Sequence, residues 1–220
     1  MVRTYRDRQH AGRELAQALG RDRGRFEALI LALPRGGVPV GFEVAEHLGV
    51  PLDVLLVRKL GVPGREELAM GAIASGGARV LNEDVVHALS LQPEIIDAVD
   101  ALERKELARR EQEYRGDRPA PDLRGRTVIL VDDGLATGAT MRVAAAAVRQ
   151  QEPRRIVVAV PVAPEETIDA LRGEVDEVVC PLVPSPFYGV GQWYDDFGQT
   201  SDDEVRELLG RAHESTGARR

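Results

Sequence analysis

The amino-acid sequence predicts an α/β fold: a doubly wound, mostly parallel sheet with helices on both faces. Three observations lead there. Short apolar, β-rich runs alternate with amphipathic stretches of helical spacing along nearly the whole chain. Several of these runs are apolar without alternation, as strands buried on both sides are, and parallel neighbours need crossover helices that cover both faces. The 220 residues suffice for one hydrophobic core, or a core with a small appendage, rather than two full domains.

Taken in order, residues 10–20 place Ala11, Leu15, Ala18 and Leu19 on one face of an N-terminal helix. Residues 28–33 (ALILAL) are an apolar run ended by Pro34 and Gly36-Gly37, which predicts a buried strand and a tight loop. Helical spacing returns over 38–48, and 53–57 is a second β-rich run, so the first third reads as a βαβ unit. Residues 59–69 (KLGVPGREELA) are too polar for the core and too long for a tight turn, and predict a mobile loop. Residues 70–74 and 79–81 flank SGGA and predict a small hairpin that anchors the far end of that loop. Residues 92–114 read as a long charged helix, with Glu106 and Arg110, and Glu111 and Arg115, in favourable i,i+4 order on a solvated face. Residues 126–131 predict a strand ending in Asp132-Asp133, and 141–150 an alanine-rich helix. Two more strands are expected over 156–160 and 175–179 with a helix over 164–171 between them, and the tail after Asp202 as a short helix with a frayed end.

Composition narrows the function classes. Apolar residues make up 43% and charged residues 30%, ordinary globular usage that disfavours a disordered or fibrous chain. A net charge of -7 would repel a nucleic-acid backbone, so no nucleic-acid partner is expected and any anionic ligand must be met locally. Cys180, the single cysteine, has no intrachain disulfide partner, and the start MVRTYRDRQHAGREL offers no apolar signal segment, which predicts a cytoplasmic protein. No apolar run approaches the roughly 20 residues of a membrane helix, so no membrane partner is expected. His10, His47, His87 and His213 are scattered without metal-ligand spacing and read as surface or packing residues.

Residues 128–141 (VILVDDGLATGATM) carry the chemistry. Four apolar residues place Asp132 and Asp133 at the carboxyl end of a buried strand, the edge where open α/β sheets bind ligands. Gly134, Ala136, Thr137, Gly138, Ala139 and Thr140 then offer backbone N–H groups and two hydroxyls at a helix start, a cradle for phosphate that small side chains leave accessible. Adjacent carboxylates are matching acceptors for the two hydroxyl donors of a vicinal diol, so a ribose 5-phosphate fits. Asp-Asp-Gly after a strand is also an ordinary turn in which an aspartate caps the next helix. In Pro34-Arg35-Gly36-Gly37, the glycines permit a strained backbone that turns amides towards an anion, and Arg35 adds a bidentate fork; a plain Gly-Gly turn is the alternative.

Four apolar residues, two acids and a small-residue loop with threonines resemble the signature of the type I phosphoribosyltransferase family. The resemblance implies that Asp132 and Asp133 hold the ribose hydroxyls of 5-phosphoribosyl 1-pyrophosphate (PRPP) and that Ala136, Thr137, Gly138, Ala139 and Thr140 hold its 5-phosphate. It also implies that Arg35, Gly36 and Gly37 bind pyrophosphate at the end of the first strand. Family members often carry a base just after the second strand, where its charge could reach pyrophosphate and where Lys59 and Arg58 compete; neighbours on a strand point to opposite faces, and Lys59 is the preferred candidate. Residues 59–69, with Gly61, Pro63 and Gly64, resemble the family's flexible catalytic loop, a lid that would shield an oxocarbenium-like state from water. Mg²⁺ is the expected cofactor, held mainly by PRPP because it dehydrates reluctantly, with no certain protein ligand. Family members acting on 6-oxopurines commonly have an acid where this chain has Ala136, which leaves the general base unassigned and argues against those acceptors.

The same resemblance implies a small C-terminal hood over residues 182–199 on a core of about residues 1–181, with a tail to 220 in one domain. Five of the chain's nine aromatic residues, Phe187, Tyr188, Trp193, Tyr194 and Phe197, fall in the hood. Phe187, Tyr188 and Trp193 are candidate acceptor-binding residues because flat rings stack on heterocycles; packing of the hood onto the core, or a dimer contact, is the alternative. Asp195 and Asp196 either accept from a ring N–H or are solvated turn residues. PRGG, RKLGVPGREELAMGA and GQWYDDF also resemble a bacterial subgroup of the family over nearly the whole chain, one that supplies no acceptor. The implied function is transfer of the phosphoribosyl group from PRPP to a small nitrogenous acceptor by a homodimer; the alternative is a non-catalytic PRPP-binding regulator.

Overall fold

The computed structural model describes residues 4–20 and 28–217. A five-stranded parallel sheet forms the centre, built from β1 (Ala28–Ala32), β2 (Leu52–Val54), β6 (Thr127–Val131), β7 (Arg155–Ala159) and β8 (Glu177–Val179) in the order β2-β1-β6-β7-β8. Every residue of β1 and β6 is buried, because alternate side chains feed two separate cores. Ile30, Ala32, Ile129 and Val131 pack towards α2 (Gly37–Leu48) and α7 (Asp202–Gly217), which supply Val40, Val44, Val205 and Leu209. Leu29, Leu31, Val128 and Leu130 pack towards α5 (Ala139–Arg149) and α6 (Glu165–Arg172), which supply Met141, Ala145, Ile168 and Leu171. Strand order reverses direction between β1 and β6, so the loops leaving those two strands flank a topological switch point, where such sheets open a ligand crevice.

The outer elements depart from the sequence reading. The second β-rich run is not one strand over 53–57: β2 ends at Val54, and Val57 opens β3 (Val57–Val62) in a different sheet. Residues 59–69 are not an irregular loop either. β3 pairs antiparallel with β4 (Arg65–Ala74), with Pro63-Gly64 at the turn and Gly64 at φ +77. Leu60 and Val62 are buried while Lys59 is exposed, the period of a half-buried strand, and the charged start of β4 is exposed over four residues. The anticipated hairpin beyond it is present, with Gly71 opposite Leu81 in β5 (Arg79–Leu81). A short helix, α3 (Glu83–Ala88), follows.

The charged helix is α4 (Pro93–Arg115), yet its face is not wholly solvated. Ile96, Leu107, Tyr114 and Arg115 are buried, and Arg115 reaches Asp53 at 2.9 Å and Glu111 at 3.0 Å. In α1 (Arg8–Leu19), Ala16 rather than Ala18 joins Ala11, Leu15 and Leu19 on the buried face. The tail is longer than a short frayed helix: α7 has 16 residues and returns Val205, Leu208, Leu209 and Ala212 to the core. No helix among the described residues is long and apolar enough to cross a membrane.

Candidate functional site

The loops after β1 and β6 touch at the switch point. Leu33 N–H donates to the Val131 carbonyl at 2.8 Å, and Gly37 N–H to the Leu33 carbonyl at 3.0 Å, so the PRGG turn lies across the acidic pair. The glycines allow close approach. Gly36 itself has ordinary helical angles (φ -58, ψ -32), so the expected strain is not at that residue. A Cβ at Gly36 would lie 2.0 Å from Asp133 Oδ2, and one at Gly37 would lie 2.7 Å from the Val131 carbonyl oxygen and 3.2 Å from Asp132 Oδ1. The Pro34–Arg35 peptide is cis.

Asp132 and Asp133 are half-buried at the end of β6. Asp133 N–H donates to Asp132 Oδ1 at 2.8 Å, and Arg8 Nε donates to Asp133 Oδ2 at 2.8 Å. Burial pushes both carboxyls above the usual carboxylate range, most strongly Asp132, which also feels the charge of Asp133; Arg8 opposes the shift at Asp133.

The loop beyond the acids is shaped for an anion. Leu135 is buried and its N–H donates to the Val162 carbonyl at 2.9 Å, which pins the loop while Ala136, Thr137, Ala139 and Thr140 remain exposed. Thr167 Oγ1 donates to the Ala136 carbonyl at 2.6 Å and so turns that oxygen aside. Gly138 (φ +71) starts α5 in the left-handed region, and a Cβ there would lie 2.7 Å from Thr167 Cγ2. The first turn of α5 then presents backbone N–H groups without intrahelical partners, at the positive end of the helix dipole.

A cavity of about 390 Å³ lies beside the PRGG turn, lined among others by Arg35, Thr140, Arg58, Arg109, Arg110, Tyr114 and Asp202; of residues 132–140, Thr140 alone lines it. Arg58 is held by Glu103 at 2.7 Å and Arg35 lies 3.5 Å from Asp202. The Tyr114 hydroxyl donates to Asp202; burial foremost, with that bond, pushes the tyrosine up to about 12, while the bond holds Asp202 below its usual range. Lys59 does not line this cavity. It is exposed on β3 beside a second hollow, of about 560 Å³, between the hairpin and α4. The structure thus brings together Arg35, Gly36, Gly37, Asp132, Asp133 and the loop 136–140, and leaves Lys59 apart. Arg8, Thr167, Arg109 and Arg110 have no signal in the sequence, since each approaches from a remote element.

The hood divides by residue. Trp193 and Tyr194 are buried with Tyr5, Ala11 and Val162, and Phe187 stacks on Trp193 with centroids 6.5 Å apart. Trp193 is 8% exposed in this cluster, whereas Tyr188 is 84% exposed. Tyr194 Oη donates to the Asp133 carbonyl at 2.5 Å and ties the hood to the acids. Asp195 accepts from Thr4 Oγ1 at 2.9 Å, a contact between the hood and the N-terminal segment, and Asp196 accepts from Gly198 N–H at 2.9 Å within its own turn.

Comparison with known proteins identifies the family. The family model described as "Phosphoribosyl transferase domain" matches residues 3–193. Two curated relatives from strains of Mycobacterium tuberculosis, each named "Putative phosphoribosyl transferase", are 49% identical over 212 residues, which is 96% of this chain and 48% of theirs. The chain spans about half the length of those relatives. The crystal structure of TT1426 from Thermus thermophilus superposes with a TM-score of 0.83 at 45% identity, covering 94% of this chain and 97% of that one. By these matches, over most of its length, the chain belongs to the phosphoribosyl transferase family.

Proposed function

We propose that the protein transfers the 5-phosphoribosyl group of PRPP to a small nitrogenous acceptor and releases pyrophosphate. The observation that carries this is the contact of the PRGG turn with the acidic pair, close enough that no side chain fits at Gly36. One ligand spanning the switch point would meet three chemistries in order: N–H groups and hydroxyls of residues 136–140 for a 5-phosphate, Asp132 and Asp133 for a diol, and Arg35 beside the backbone of Gly36 and Gly37 for a pyrophosphate. Arg58 shares the cavity with Arg35 and takes the pyrophosphate-facing role expected of Lys59.

Loss of pyrophosphate builds positive charge on the sugar ring, a state that water would trap, and the β3–β4 hairpin beside the cavity suits a cover that excludes it. Mg²⁺ would arrive on the phosphates, neutralise the leaving group and take few protein ligands. Among the described residues no three His, Cys, Asp or Glu side chains gather as a metal cage. On the hood, Tyr188 and the partly buried Phe187 remain for an acceptor ring to stack on.

One observation favours a second reading, a PRPP-binding regulator without catalysis: Lys59 stands outside the cavity. The test is to mix the protein with PRPP and Mg²⁺, add purines, pyrimidines and small amines in turn, and measure pyrophosphate. Acceptor-dependent release is expected. PRPP binding without turnover on any acceptor supports the regulator, and absence of PRPP binding refutes both.

A further inference from the structure

Arg8 is a buried cation that the phosphoribosyl chemistry above does not use. Its side chain is 12% exposed and makes three directed contacts: Nε with Asp133 Oδ2 at 2.8 Å, Nη1 with the Gly198 carbonyl at 2.6 Å, and its guanidinium carbon 4.0 Å over the Phe197 ring. The ring of contacts closes through the hood. Phe197 lies 5.0 Å from Tyr194 between centroids, and Tyr194 Oη donates to the Asp133 carbonyl. Gly36 crowds the same carboxylate oxygen, Oδ2, that Arg8 holds, so the N-terminal helix, the hood and the PRGG turn all meet at one residue.

Two adjacent carboxylates drawn out of water repel each other, and without a counter-charge one of them takes up a proton and becomes a donor, mismatched to a hydroxyl that must itself donate. The groups facing the Asp133 carboxylate are Arg8 from α1, Asp132 from its own strand end, Tyr194 from the hood and the Gly36 backbone; Arg8 is the cation among them.

We propose that Arg8 is a positioning residue for ribose recognition: it fixes the charge and orientation of Asp133 and joins the ribose seat to the hood. The inference rests on the phosphoribosyl reading of the site. Arginine suits the task where lysine would only partly do, because the fork satisfies an acid and a carbonyl at once and its flat face lies on an aromatic ring.

The test uses the full chain, with calorimetry of ribose 5-phosphate and of pyrophosphate, which lacks a diol, across the mildly acidic to neutral range, and melting curves for every variant. Arg8→Met is expected to weaken ribose 5-phosphate by roughly ten- to a hundredfold, the range for a lost charge-assisted hydrogen bond, and to move the pH midpoint of binding upward. Arg8→Lys is expected to restore the midpoint and part of the affinity, and pyrophosphate binding to stay unchanged. Wild-type affinity and pH profile in Arg8→Met, or equal loss of both ligands in both variants, overturns the inference. If Arg8→Met does not fold, Arg8→Lys is compared with and without Asp133→Asn: its effect vanishes in the Asn background if Arg8 acts through Asp133, and persists if it does not. Wild-type protein that fails to bind ribose 5-phosphate overturns the phosphoribosyl reading and the Arg8 role together. Wild-type binding that Asp132→Asn abolishes, with the Arg8 variants unaffected, overturns the Arg8 role alone.

Discussion

Replacing Gly36 by alanine inserts one methyl group where the structure has no room for it. The new Cβ would sit 2.0 Å from Asp133 Oδ2, 2.7 Å from its Cγ and 3.3 Å from Arg8 Nε. The backbone tolerates alanine, since φ is -58, so the whole effect comes from crowding. Asp133 is short and tethered by Arg8 at 2.8 Å and, through its carbonyl, by Tyr194. It cannot swing clear without loosening the Arg8 contact, and the PRGG turn cannot retreat without stretching the Leu33 and Gly37 backbone bonds. Overpacking of this kind costs about 1–3 kcal/mol. Displacement of the same carboxylate from the ribose seat predicts a loss of PRPP affinity of about tenfold or more, at roughly 1.4 kcal/mol per tenfold. Urea unfolding measures the first quantity and calorimetry with PRPP and Mg²⁺ the second. A Gly36→Ala protein with wild-type stability and wild-type PRPP affinity would refute the claim that these two loops are pressed together as part of one site.

Further outcomes are expected at other positions. Gly210, within α7, has open space where a Cβ would be, so Gly210→Ala should raise stability by about 0.5–1 kcal/mol in urea unfolding. Arg115→Met should cost about 3–5 kcal/mol, because it leaves Asp53 and Glu111 without the guanidinium that is 5% exposed between them; a chevron or urea midpoint close to wild type would contradict that. Arg58→Met should weaken pyrophosphate binding more than Lys59→Met, and the opposite order in calorimetry would return the pyrophosphate-facing role to Lys59. Because burial raises both Asp132 and Asp133, the affinity for ribose 5-phosphate, which needs the ionised pair, should be present above the raised values and fall as pH drops through them, at higher pH than ordinary carboxylates would give; titration calorimetry against pH measures this.

The parallel sheet was legible because β1 and β6 are buried on both faces and therefore read as unbroken apolar runs. The loop 134–140 was legible for a similar reason, since its small residues and Gly138 dictate backbone shape locally, whatever lies across from them. The β3–β4 hairpin was not, because the start of β4 is exposed on both faces and carries charge there; only the alternation of Leu60 and Val62 with their exposed neighbours marks β3, too short a signal beside a proline and two glycines.

Arg8 and the Gly36 contact show where local reading stops. Arg8 is 125 positions from Asp133, and no spacing rule reaches that far. At Gly36 the sequence points to backbone freedom, the property glycine shows locally, when its function is to be small next to an acid that β1–β6 pairing brings across from it through the Ala32 and Val131 register. The choice between Arg58 and Lys59 has the same cause. Alternation states that adjacent strand residues face opposite ways; Arg58 lines the cavity of about 390 Å³ and Lys59 does not, although both border the second hollow. Alternation does not say which of the two faces inward. The face is set by α4, whose Glu103 holds Arg58 and whose Arg109 and Arg110 line the same cavity, so the decision belongs to an element some forty residues further along the chain.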